Sequence, residues 1–128
     1  MATLPSMGFV RHRDADGTWD GVVPRKYTSG ALRQVLIGRD DGATQVELRF
    51  FTIPVGGASA LEHHPHEHAI MVLRGHAEVR LGDERTDAGP GDVVFVSADE
   101  VHQLRALGEE PLEFLCTALA DRTAPPRP

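Results

Sequence analysis

The chain has 128 residues, of which 41% are hydrophobic and 25% are charged, and its formal net charge is −6. This length predicts a single domain. The acidic balance argues against nucleic acid as a partner, which would need a basic face, and no apolar run approaches the ~18 residues that span a bilayer. Cys116 is the single cysteine. With no disulfide framework and no signal-peptide pattern at the N-terminus, we expect a cytoplasmic protein.

Short strands dominate the predicted structure because 13 glycines and 9 prolines interrupt the chain at short intervals. The composition of 31–38 also fits a helix, but Val35 and Ile37 favour a strand there. Polar and apolar residues alternate over 76–81, and turns are predicted at 82–83 and 89–92. The pattern predicts an all-β sandwich or small barrel. The predicted strands lie at 32–38, 45–53, 59–64, 69–74, 76–81, 84–87, 92–97, 102–105 and 112–119.

The two ends of the chain differ from this strand-rich middle. Residues 1–30 are predicted to form an N-terminal arm, and residues 31–120 the β-domain. The proline-rich residues 121–128 are predicted to form a flexible tail.

Four histidines and two glutamates crowd into the seven positions from Glu62 to His68. On a strand, residues two apart share a face, so Glu62 and His64 point the same way and His63 points to the opposite side. A proline between His64 and His68 predicts a bend that returns His68 to the same side. Two imidazoles and a carboxylate suit Fe, Mn, Co, Ni, Cu or Zn. The candidate for a fourth donor is His102.

The spacing of these residues resembles the first sequence motif of the cupin family, G-x5-H-x-H-x3-E-x6-G. Its positions fall here on Gly56, Glu62, His64, His68 and Gly75. Every spacing matches, but two identities differ: Glu62 stands in the place of the first histidine and His68 in the place of the glutamate.

The second cupin motif, G-x5-P-x-G-x2-H-x3-N, is matched by Gly91 and His102, whereas Ser97, Asp99 and Ala106 replace its proline, second glycine and asparagine. The segments RQVLIG, LRFFTIPVGG, HPHEHAIMVLRG and LEFLC further resemble small single-domain cupins that have four histidine ligands. The likeness covers roughly residues 30–120.

The resemblance implies a jelly-roll (double-stranded β-helix) barrel and one divalent transition metal ion (Mn, Fe, Cu, Ni, Co or Zn). By position, the implied metal ligands are Glu62, His64, His68 and His102. As an alternative, Glu62 acts as an unligated base beside three histidines. His66 lies where the subgroup has an aromatic residue, so we expect it at the bend or the pocket rim rather than on the metal.

The resemblance also implies a substrate pocket. It places Arg49 beside the metal cavity, where a guanidinium binds an anionic or carbonyl group; the alternative is an exposed charge on the barrel wall. It turns the face of Phe114, Cys116 and Ala118 toward the cavity, and with Leu104 these residues would form an apolar pocket. Cys116 is predicted to be a buried pocket residue rather than a reactive thiol.

For function, the prediction is a metal-dependent oxygenase of dioxygenase type that cleaves an unsaturated bond in a small organic substrate. Glu62 would accept a proton and Arg49 would orient the substrate. The alternatives are a non-oxidative lyase, isomerase or cyclase in which the ion acts as a Lewis acid, and a non-catalytic cupin that binds a small ligand. A homodimer is expected, in which the arm at 1–30 is exchanged between protomers and Trp19 contributes to the interface.

Overall fold

The computed structural model describes residue 4, residues 6–28 and residues 30–120. Within them the chain forms nine strands, one 3-10 helix (Arg39–Asp41) and no α-helix. No helix among these residues is long and apolar enough to cross a membrane. The predicted tail at 121–128 lies outside the described residues. The strands are β1 Arg25–Lys26, β2 Leu32–Ile37, β3 Val46–Ile53, β4 His68–Arg74, β5 His76–Leu81, β6 Glu84–Ala88, β7 Val93–Val96, β8 His102–Leu107 and β9 Leu112–Leu119.

Two antiparallel sheets enclose the core of the domain. The larger has the order β1-β2-β3-β9-β4-β7 and the smaller the order β6-β5-β8. Alternate residues of each strand face inward, and the fully buried side chains include Ile53, Val72, Leu104 and Leu112. This two-sheet arrangement is that of a jelly roll, so the predicted all-β jelly-roll fold is confirmed.

Most predicted strands are present, including the one over 31–38, which the structure places at β2. The predicted strand at 59–64 is wrong. This segment runs beside β8 through isolated bridges only, which pair Ala58 with Arg105 and Glu62 with His102. Between the two bridges the segment advances four residues, from 58 to 62, whereas β8 advances only three, from 102 to 105. The segment therefore contains one extra residue, as in a β-bulge. The hydroxyl of Ser59 accepts a hydrogen bond from the backbone N–H of Leu104 at 2.9 Å, so a side chain replaces part of the ladder.

The first motif's last glycine, Gly75, is required by the turn between β4 and β5. Its φ is 77°, and a Cβ atom added there would lie 2.4 Å from the carbonyl oxygen of Pro111. Only glycine fits both restrictions. The turn therefore allows the end of β4 to pass close to the start of β9.

The N-terminal segment packs against the sheet of its own chain. Trp19 contacts the ring of Phe50 with centroids 4.9 Å apart, and Arg11 donates through Nε to the carbonyl of Leu36 at 3.0 Å. Exchange of this segment between protomers stays a prediction. Its last part reaches the cavity described below through Tyr27.

Candidate metal centre

Three histidines come together at one end of the barrel. His68 is the first residue of β4 and His102 the first of β8, while His64 precedes β4 in the irregular segment. One ring nitrogen of each lies within 4.8 Å of the others. These three imidazoles can hold a metal ion, because neutral imidazole nitrogen is a ligand for all the predicted transition metals.

Backbone carbonyls fix the orientation of two of these rings. Nδ1 of His68 lies 2.8 Å from the carbonyl oxygen of Thr117, and Nδ1 of His102 lies 2.9 Å from that of Glu100. A carbonyl only accepts, so Nδ1 carries the proton in both rings. The lone pair is then on Nε2, which is the arrangement that supporting hydrogen bonds give to metal-binding histidines.

The other nitrogen of His68 has surroundings that fit a metal ion. His68 is 4% exposed, and its Nε2 is buried with no hydrogen-bond partner among the described residues. A buried polar atom without a partner is costly, and a metal bond would remove that cost. Burial, followed by the charges of neighbouring histidines, lowers the pKa of His68, and the neutral ring is the form that binds metal.

Glu62, the predicted first ligand, does not belong to this group of three. Its carboxylate oxygen Oε1 lies 3.3 Å from Nε2 of His64, and it accepts a hydrogen bond of 3.1 Å from the hydroxyl of Tyr27. Its backbone pairs with that of His102 through two hydrogen bonds. Glu62 therefore lies at the edge of the histidine cluster, and its roles as ligand or base stay predictions.

The two remaining histidines of the crowded stretch lie outside the cluster. His63 is exposed. His66 stacks its ring on that of His64, with centroids 5.1 Å apart and planes at 5°, and burial, then the charge of His64, lowers the pKa of His66. His63 is exposed as predicted, whereas His66 lies along a neighbouring groove, and their exclusion as ligands stays a prediction.

A small cavity of about 30 Å³ adjoins the histidine cluster. This volume is enough for an ion, and because the cavity is partly open to solvent, a larger ligand would extend out of it. Four of the five predicted pocket residues, namely Arg49, Leu104, Phe114 and Cys116, line it together with Tyr27, Phe51, Ser59, Glu62, Ile70 and the three histidines. Ala118 does not line this cavity; it lies along a neighbouring groove that also contains His66 and Thr117.

Arg49 reaches the cavity from β3 and is held by a buried acid. Its Nε donates to Oε2 of Glu47, a carboxylate that is 2% exposed. The two residues are on the same face of β3, two positions apart, so the pair lies inside the barrel rather than on its surface. This arrangement leaves the rest of the guanidinium at the cavity wall, where it can bind an anionic or carbonyl group.

Cys116, on β9, provides a thiol in the wall of the cavity. Its Sγ lies 3.4 Å from Nδ1 of His68. Burial raises the pKa of the Cys116 thiol to about 11, and the charge of Arg49 acts in the opposite direction. The thiol is thus protonated at neutral pH, and a further positive charge nearby would increase its thiolate fraction.

Tyr27 is a cavity residue that the sequence did not single out. It reaches the cavity from the segment between β1 and β2, and its ring packs edge-on against Phe51 with centroids 5.1 Å apart. Burial, followed by the charge of Glu62, raises the pKa of Tyr27 to about 12. No periodicity marks this position, although it is the single tyrosine of the chain.

Comparisons with known proteins agree with the fold described above. A family model described as a cupin domain matches residues 49–118. A 1-methylthio-D-xylulose 5-phosphate methylsulfurylase of Rhodospirillum rubrum is 40% identical over 96 residues, which are 75% of this chain and 60% of that enzyme. The chain thus spans less than two thirds of the length of this curated relative.

Solved structures of similar proteins agree with the family match. A cupin 2 conserved barrel domain protein of Rhodopseudomonas palustris is 38% identical, with a TM-score of 0.75, over 94% of this chain and 86% of that one. The polyketide cyclase RemF of Streptomyces resistomycificus is 26% identical, with a TM-score of 0.70, over 81% of this chain and 78% of that one. The relatives thus include enzymes, and the chain belongs to the cupin family.

Proposed function

We propose that this protein is a metal-dependent cupin enzyme that breaks a carbon–sulfur bond next to a carbonyl, in a methylthio-substituted ketose phosphate or a close analogue. The observation that carries the proposal is the thiol of Cys116 in the wall of the cavity, 3.4 Å from the ring of a candidate metal ligand. The similarity to a methylsulfurylase supports a sulfur-containing substrate.

The cavity contains the groups that such a reaction needs. The sulfur of Cys116 forms a bond to the sulfur of the methylthio group, and the carbon–sulfur bond breaks with its electron pair moving onto the carbon. The proton released by the thiol completes that carbon, which becomes a methyl group beside the carbonyl. A second thiol, small and diffusible, then takes the methylthio group as a mixed disulfide and returns a proton to Cys116.

Other residues of the cavity assist this step. In this proposal Glu62 accepts the thiol proton and passes it on, and Arg49 binds an anionic or carbonyl oxygen of the substrate. A divalent metal ion bound by His64, His68 and His102 would supply positive charge for the carbonyl oxygen of the substrate. A free thiol in this role needs a reducing compartment, so we also propose a cytoplasmic location.

The proposal is tested with metal-reconstituted protein, a 1-methylthio ketose 5-phosphate and a small thiol, under anaerobic conditions. We expect the 1-deoxy ketose phosphate and the methylthio mixed disulfide in equal amounts. Without the second thiol, mass spectrometry should find one methylthio group on Cys116. Replacement of Cys116 by serine should abolish both results while metal content is unchanged; turnover by this variant would contradict the proposal.

Dioxygenase chemistry is the second candidate, and the specific observation in its favour is the number of protein ligands. Three imidazoles leave open positions on an octahedral ion, where oxygen and substrate can bind together. This candidate requires oxygen and does not require the thiol. Oxygen consumption by the Cys116→Ser variant with an unsaturated substrate would favour it. Anaerobic turnover of a substrate without sulfur would instead favour a lyase, isomerase or cyclase.

A further inference from the structure

We propose that Tyr27 is a positioning residue that keeps Glu62 off the metal ion, so that Glu62 serves as a base beside the ion and not as a ligand to it. This inference rests on the metal site of the proposed function but not on its substrate. Metal binding alone can test it.

The position of Glu62 makes either role geometrically accessible. Its Oε1 is 3.3 Å from Nε2 of His64, which is close to the separation of two neighbouring ligands on one ion, given bonds of roughly 2.0–2.2 Å to each. The carboxylate nevertheless lies outside the group whose ligand atoms are all within 4.8 Å of one another. A small rotation of the side chain would therefore decide whether it binds the ion.

The hydrogen bonds of Tyr27 oppose that rotation. The backbone N–H of Ala60 donates to the tyrosine oxygen at 3.3 Å. With this donor on one side, the hydroxyl proton is directed to Oε1 of Glu62, 3.1 Å away. A hydroxyl has a single proton, so this is the one hydrogen bond that it can donate, and it holds Oε1 beside His64 but outside the group of three ligand atoms.

The tyrosine itself is held in place and does not follow the carboxylate. Its ring packs edge-on against Phe51, and its backbone N–H donates to the carbonyl of Ala31 at 2.9 Å. The next residue, Thr28, donates through its hydroxyl to the carbonyl of Ala58 at 3.2 Å. Movement of the Glu62 carboxylate onto the ion would therefore stretch or break the hydrogen bond of the Tyr27 hydroxyl in a partly buried wall, which costs free energy.

The test is a double-mutant cycle on metal affinity, with Tyr27→Phe, Glu62→Gln and the double variant. Affinity for Co²⁺ is measured by competition with a chelator, and the visible spectrum of bound Co²⁺ reports its ligands. We expect Glu62→Gln alone to leave both unchanged. We expect Tyr27→Phe to bind Co²⁺ about ten-fold more tightly, on the scale of other changes around metal ligands, with an altered spectrum. The double variant should return to the wild-type affinity and spectrum.

Thr28→Val is the matched control, because it removes another hydrogen bond between the same two segments without contacting Glu62. It should not change the affinity or the spectrum. The proposal is overturned if Glu62→Gln weakens wild-type binding ten-fold or more, if Tyr27→Phe changes nothing, if Thr28→Val has the effect of Tyr27→Phe, or if the wild-type protein binds no Co²⁺. Failure of the carbon–sulfur reaction would appear in the product assay alone.

Discussion

The side chain of His68 is hydrogen-bonded through one ring nitrogen, whereas the other is buried and has no partner within the described part of the chain. A histidine retained only for packing would have both nitrogens satisfied or exposed to water. The contrast between its two nitrogens therefore points toward metal binding more directly than the density of histidines in the sequence does. His102 has the same Nδ1 contact with a carbonyl, which extends the reasoning to a second ring.

Loss of a single clustered histidine should remove the metal. We expect His102→Ala to lower the metal content of the purified protein from stoichiometric to near zero, because two imidazoles bind a divalent ion much more weakly than three. His63→Ala is the control, since His63 is exposed and outside the cluster. Elemental analysis after dialysis measures both variants. Equal metal loss from the two would contradict the assignment.

Tyr27 allows a test of the electrostatics of the cavity in the metal-free protein. Because it is the single tyrosine, its phenolate absorbance reports one group. We expect native Tyr27 to titrate with a pKa of about 12, against 10.0 in the unfolded chain. Its contribution to stability is then complete below pH 10 and is lost as the pH rises through about 12. Glu62→Gln should lower the pKa; a native value near 10 would contradict this description.

At the scale of the elements, the sequence was informative wherever strand parity decided which side a residue faces. Alternation fits Glu47 and Arg49, which are two positions apart on β3, share a face and are in contact; Glu62 and His64 are in contact too, although the strand predicted for them is absent. It failed at 59–64, where an extra residue and the hydroxyl of Ser59 interrupt the ladder beside β8. A one-residue insertion leaves no trace in hydrophobic alternation.

Contacts between distant segments also could not be predicted from the sequence. Tyr27 reaches Glu62 across 35 positions, and nothing local to either residue indicates the other. The ion pair of Glu47 and Arg49 shows a different limit, since parity gave their common face but not that the pair is buried. Predicting such features requires the packing of whole strands.

The turn at Gly75 provides a prediction about an element. Gly75→Ala should destabilise the protein by more than about 3 kcal/mol, since it adds positive-φ strain to a clash with backbone. Gly82→Ala is the matched control: its φ is 61° and no atom lies within 4 Å of an added Cβ, so we expect a loss of about 1 kcal/mol. Urea denaturation followed by circular dichroism measures both, and similar losses would contradict the steric explanation.

At the scale of the whole molecule, the outer surface of the large sheet has apolar side chains where water would favour polar ones. On the edge strand β7, Val93 is 71% and Phe95 58% exposed, and on β4 Met71 is 41% exposed. Met71 pairs directly with Val93 in the sheet, so these residues form one patch. An unpaired, apolar edge strand is an aggregation hazard unless another surface covers it.

We propose that a second copy of the chain covers this patch, because a two-fold contact buries the same patch of both protomers at once. This contact differs from the predicted exchange of the arm at 1–30. Wild-type protein should then elute as a dimer in size-exclusion chromatography with light scattering at micromolar concentration. Phe95→Glu should give a folded monomer, since the charge would be buried in the contact without a partner. Val55→Glu, an exposed apolar position away from the patch, should remain dimeric. A wild-type monomer, or a Phe95→Glu dimer, would place the contact elsewhere or remove it.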